Sequence, residues 1–210
     1  MTPRRLAVLL VATLLLAGCS GSESAPPSST DAAASAPVPG VTLPSDPLAD
    51  LVPRPAEVLA GMVPVVTGSG PRDLAVVAGY SGSGAAATAA AARLRAHGFV
   101  KAYVGQYANP STGQVLSVVA STFATPAGAT ADFGDDQRSV QGRAVTVEKL
   151  GEASSARVQA IPGKVASELL LLRFKRGTTT WSLAYQAAPK ADPAVAVGLA
   201  RALLARTATS

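Results

Sequence analysis

Cysteine is all but missing from this 210-residue chain: there is one, and one histidine beside it in the count. An intramolecular disulfide is therefore impossible. Multi-histidine metal centres and cysteine-rich zinc or iron–sulfur sites are excluded with it. Aromatic side chains are scarce too; the nine present all fall between Tyr80 and Tyr185. No apolar run approaches the ~18 residues of a membrane-spanning helix. Acidic residues are outnumbered, 13 against 18 Lys and Arg, and the chain is formally +5 at pH 7.

What is there begins at the N-terminus. Arg4 and Arg5 are followed by the apolar stretch Leu6 to Leu16. That stretch is too short to cross ~30 Å of hydrocarbon but has the size of a signal-peptide core. It closes on Leu16-Ala17-Gly18-Cys19, which resembles a bacterial lipobox. The resemblance implies a signal peptide over 1–18, cleavage after Gly18, and diacylglycerylation of the Cys19 thiol. Two acyl chains would anchor the protein stably, at about 0.8 kcal/mol per buried CH₂.

Residues 19–50 are rich in Ser, Pro and Ala, carry Glu23, Asp31, Asp46 and Asp50, and lack Lys, Arg and aromatic residues. Such a composition predicts a disordered tether with a reach of roughly 30 Å. The folded domain is expected over 51–210. It holds 16 of the basic and nine of the acidic residues, a charge balance that favours anionic membrane or envelope polymers when clustered and means little when scattered. The only basic run is Arg173-Phe174-Lys175-Arg176.

Periodicity predicts a helix from Ala85 to His97 closed by Gly98, then a hairpin of strands Phe99–Tyr107 and Val115–Phe123. On the first strand, Phe99, Lys101, Tyr103, Gly105 and Tyr107 are expected on one face. Thr125-Pro126 opens a second helix. The pattern returns as strands Glu168–Lys175 and Thr180–Gln186, then a helix after Asp192-Pro193 with Val195, Leu199, Ala202, Leu203 and Arg206 along one side. Shorter strands are expected at Ala144–Glu148 and near Arg157–Ile161. The fold class is α+β, a mainly antiparallel sheet with helices packed on it, in two similar hairpin–helix halves.

Chemistry-bearing motifs are few. Gly79-Tyr80-Ser81-Gly82-Ser83 approaches a nucleophile elbow, but its last residue is Ser and no acid lies between Ser81 and His97. Gly82, Gly84 and Ala87 sketch a dinucleotide fingerprint without the acid expected after the next strand. His97 reads as a helix cap as readily as a general base. Asp132, Asp135 and Asp136 lack the spacing of a calcium loop. Trp181, Tyr185, Tyr103 and Tyr107 alternate on strands, as core residues or as the lining of an apolar groove. No cofactor, metal or nucleic-acid site is expected.

The lipobox, the Ala/Pro/Ser tether, Gly98-Phe99-Val100, Phe123-Ala124-Thr125-Pro126-Ala127-Gly128-Ala129 and the Ala-rich last helix are similar to secreted lipoproteins of actinobacteria. That resemblance carries no catalytic residue. The expected function is a lipid-anchored protein on the outer face of the plasma membrane, with a non-catalytic domain that binds an envelope ligand or partner. An envelope hydrolase acting through Ser81 and a lipid-carrying protein are the alternatives.

Overall fold

The computed structural model describes residues 42–139, 141–163 and 165–207. The signal segment, Cys19 and the chain up to residue 41 lie outside the described residues.

Eight strands form one sheet: β1 (Val63–Pro64), β2 (Gly70–Arg72), β3 (Phe99–Ala108), β4 (Val115–Phe123), β5 (Arg143–Val145), β6 (Ala153–Ile161), β7 (Ser167–Arg176) and β8 (Thr179–Ala187). Their order is β1-β3-β4-β8-β7-β6-β5, with β2 also pairing β3, and every one of these pairings is antiparallel. Four helices accompany it: α1 (Leu74–Gly79), α2 (Ala85–Ala96), α3 (Pro126–Ser139) and α4 (Pro193–Thr207). The class is the expected antiparallel α+β.

Both predicted hairpins are present, and they meet through β4 and β8 in the middle of the sheet. The capping residues act as expected. Thr125 Oγ1 accepts from the Gly128 amide at 3.1 Å, and Asp192 Oδ1 accepts from Ala194 N–H at 2.9 Å. The two helices nevertheless take opposite faces. Alternation along β8 puts Thr180 and Trp181 on different sides. α3 reaches the side of Thr180 and Arg173, whereas α4 buries Ala196, Leu199, Ala200, Leu203 and Leu204 against the side of Trp181 and Phe174. Two halves alike in order are thus unlike in packing. Ala202, expected on the buried stripe of α4, is exposed.

The main core lies on the α4 side. Tyr103, Tyr107, Leu116, Val118, Leu170, Leu172, Phe174, Trp181 and Leu183 are almost fully buried there, each apolar side chain worth about 1.5–3 kcal/mol of transfer free energy. Phe174 and Trp181 stack with ring centroids 5.0 Å apart. A smaller cluster of Ala78, Ala90, Leu94, Phe123 and Ala129 joins α1, α2 and α3 on the other face.

Four local expectations need correction. A register shift between Phe99 and Lys101 adds one residue to β3. Phe99 is thereby turned to the face opposite Tyr103, where it meets Phe123 edge-on. The strand expected at 144–148 is Arg143–Val145, and the one near 157–161 extends over Ala153–Ile161 because β7 pairs with its whole length. Helix α1, for which no element was expected, is capped by Asp73 Oδ1 accepting from Val76 N–H at 3.0 Å.

The fourth concerns the N-terminal boundary. Residues 42–50, grouped with the tether on composition, are bonded to the sheet. Asp46 caps a 3-10 turn over Pro47–Leu51 and accepts from Lys101 Nζ at 2.6 Å. Tyr103 Oη donates to Pro44 O at 2.6 Å. Residues 42–62 form a strap that closes the part of the main core α4 leaves open, its own Val52 completely buried in that core.

Candidate functional site

Strap, hairpin turn and helix end converge beside Trp181. β7 and β8 are joined by a two-residue turn in which Gly177 holds φ +53°, a conformation that suits glycine. The turn brings Arg176, Thr178 and Thr179 against the C-terminus of α4, where Arg176 Nη1 donates to Leu204 O at 2.7 Å. The strap fills the third side, held by Trp181 Nε1 donating to Leu51 O at 2.8 Å and Arg206 Nη2 donating to Val52 O at 2.7 Å. Between them lies a groove of about 450 Å³, within the range of small-ligand sites.

One wall of the groove is Pro47, Leu48, Asp50 and Leu51; the other is Arg176 to Thr179, with Arg206 and Thr207 at the helix end and Trp181 in the sheet. Its charges are largely balanced within the protein. Arg206 Nη1 donates to Glu57 at 2.7 Å and Arg54 Nη2 to Asp50 at 2.9 Å. Glu152 accepts from Lys175 and from the Gly177 amide, and these donors hold its carboxyl below the usual range. The groove can therefore grip a ligand by hydroxyl and guanidinium donors and by apolar contact.

The motif residues lie elsewhere. Ser81 is exposed in the turn after α1, while His97 closes the far end of α2, a helix of 12 residues or about 18 Å. His97 Nε2 stands 3.4 Å from Asp135 Oδ2, with Arg93 Nε 3.8 Å from the same oxygen. The elbow also requires a strand before its serine, and helix α1 occupies that place. Gly82 and Gly84 serve the chain reversal into α2 with φ +125° and +57°.

Asp132 and Asp135 are not brought together as a metal site. Asp132 is buried, 3.6 Å from Arg173 Nη2 and 3.3 Å from Thr180 Oγ1, and Arg173 lies over the Phe133 ring at 5.5 Å. The side chain of Asp136 lies outside the described part. Among the described residues, no group of three His, Cys, Asp or Glu is placed to hold a metal ion. Tyr103, Tyr107 and Tyr185 are core residues whose hydroxyls burial makes harder to ionise, and only Trp181 of the four reaches the groove. The basic run splits by alternation: Arg173 and Lys175 are buried against acids, and Arg176 alone faces the groove.

Apart from Trp181, the groove residues escape sequence reading because none carries a motif. Composition places Pro47, Leu48 and Asp50 in the tether and Leu51 at the very start of the domain, and Arg176-Gly177 reads as an ordinary turn.

Fold and site together define an antiparallel α+β domain with a ligand-sized groove at the junction of strap, hairpin and last helix. No family model matches the chain, and none of the curated proteins does. Among solved structures the chain is similar to the extracellular domain of PknH from Mycobacterium tuberculosis. The TM-score is 0.55 at 11% identity, covering 77% of this chain and 95% of that one. At that identity the likeness concerns the fold. Among the described residues no helix is long and apolar enough to cross a membrane.

Proposed function

We propose that this chain is a non-catalytic binding domain carried on the outer face of the plasma membrane by a lipidated Cys19, and that it binds in the groove beside Trp181. The groove carries the reading: a concavity of about 450 Å³ offering donors and apolar contact, with Ser81 and His97 at opposite ends of α2 rather than paired. A hydrolytic serine needs a base within hydrogen-bond reach, and His97 is turned toward Asp135 instead. The extracellular setting of the similar fold in PknH accords with this placement, as does the expected signal peptide over residues 1–18, just before Cys19.

Chemical-shift mapping of the isotope-labelled domain against a fragment set tests the site. Perturbed amides should cluster at 48–51 and 176–179. Perturbation confined to other surfaces would remove the groove from the proposal. A fluorophosphonate label that disappears in Ser81→Ala would remove the non-catalytic part.

A further inference from the structure

We infer that the strap is a detachable clasp: docked, it completes the groove, and released as one unit it removes a wall of the groove while the sheet stays folded. The part that concerns the groove rests on its being the binding site. The first ground is how the strap is attached. Sheet pairing begins only at Val63. Among the described residues, the main-chain to main-chain hydrogen bonds of 42–62 are all local: Ala49 to Asp46, Val52 to Ala49, Glu57 to Arg54 and Met62 to Leu59. The strap's hydrogen bonds to the rest of the domain are donated by side chains, those of Lys101, Tyr103, Tyr107, Asn109, Trp181 and Arg206. Such bonds can break without disturbing the ladder of the strands that carry the donors.

Burial is the second ground. Val52, Pro53 and Met62 are the buried residues of the strap, and Leu43, Leu48, Leu51, Val58 and Leu59 pack on the core only in part. A segment with few buried apolar side chains and no ladder belongs to the part of a fold that opens locally at least cost. Gly61, at φ +79°, stands between the strap and β1, where the chain can swing without breaking the β1–β3 pairing. The two walls of the groove are therefore unequal. Arg176 and Thr179 face each other in the β7–β8 register and are fixed by it. Pro47, Leu48, Asp50 and Leu51 leave with the strap, and Trp181 Nε1 then loses Leu51 O. Linkage makes the relation reciprocal: an occupant held by both walls keeps the clasp shut, and opening the clasp lowers its affinity.

The test uses the unlipidated mature chain, complete from residue 19 with Cys19→Ser, and a glutamate-specific protease under native conditions. Glu57 is held by Arg206 in the docked strap, so cleavage after it measures how often the clasp opens. Lys101→Ala deletes the pair with Asp46, outside the groove. It should speed that cleavage by about three- to fivefold, the scale of a partly exposed ion pair. Gly128→Ala, which crowds the carbonyl of His97 on the opposite face, lowers global stability and should leave the cleavage rate unchanged. In guanidinium below the unfolding transition the rate should rise with a slope well under the global m value, because the strap exposes only part of the buried surface.

Cleavage that rises in Gly128→Ala in proportion to the lost stability, or that follows guanidinium with the full m value, means that the strap opens only when the domain unfolds and overturns the clasp. No change in Lys101→Ala overturns it too. A fragment whose shifts map to 48–51 and 176–179 should slow cleavage at saturation, and one that maps there without slowing it overturns the coupling to the groove. If no fragment maps there, the groove falls as the binding site, and the two variants still decide the clasp.

Discussion

Tyr103, Tyr107 and Trp181 show how a residue can be core and clasp at once. Each ring is buried, and each ends in a polar hydrogen that must find an acceptor. The strap's carbonyls supply those acceptors. Tyr107→Phe keeps the ring and deletes the bond to Pro53 O, leaving a buried carbonyl unsatisfied. The expected loss is about 1–3 kcal/mol, read as a melting temperature lower by several degrees. Asp46 works from the strap side. The hydrogen bond from Lys101 holds its carboxyl below the ordinary value of 3.8. A carboxyl depressed in the folded state contributes stability above its unfolded value, and that stability is lost as pH falls through the folded one. Stability should therefore decline below about pH 4, with Glu148 and Glu152 adding in the same direction. Asp46→Asn should flatten part of that decline in denaturant titrations between about pH 5 and 2; an unchanged slope would show that the Lys101 pair does not couple to folding.

Among the elements, α3 is the one with least room. An added Cβ at Gly128 would stand 1.9 Å from the carbonyl of His97, so the first turn of α3 lies directly against the C-terminus of α2. Gly128→Ala should cost about 1–3 kcal/mol by forced separation and should loosen the Phe99–Phe123 contact beneath. Near-ultraviolet circular dichroism and a thermal melt check both. β3 teaches a second lesson. Its alternating letters predicted a single face from Phe99 to Tyr107, and the register shift at Val100 divided it. That residue is 63% exposed, outside both clusters, which is where an inserted residue goes when neither face can absorb it.

For the whole molecule, two outcomes follow, one from the N-terminal half of the strap and one from the proposed lipid anchor. Limited proteolysis of the mature chain should leave a resistant core beginning near Thr42, since Pro44 and Asp46 are bonded to the sheet; a core beginning after Arg54 would mean that the strap opens readily. Cys19→Ala should leave unprocessed precursor and abolish labelling by a fatty-acid analogue, and labelling that persisted would end the proposal of a lipid anchor.

Local letters were enough for the antiparallel α+β class, for both hairpins and for the helix starts at Thr125-Pro126 and Asp192-Pro193. Those features depend on contacts between residues near in sequence: caps, turns and the two-residue alternation of strands. The single cysteine and histidine likewise limited the available chemistry before any coordinate was known. Tertiary structure alone decided the rest. Composition put residues 42–50 with the tether, because a Pro-rich, aromatic-free stretch has too little apolar surface of its own to order it. Lys101 and Tyr103, 55 and 59 residues away, order it instead through Asp46 and Pro44, while Trp181 and Tyr107 hold Leu51 and Pro53 just beyond it. The same holds for the groove, whose walls come from the strap, the β7–β8 turn and the end of α4. Nothing in any one of those segments specifies the other two. They meet because the main core needs a lid on the part of the sheet that α4 does not cover.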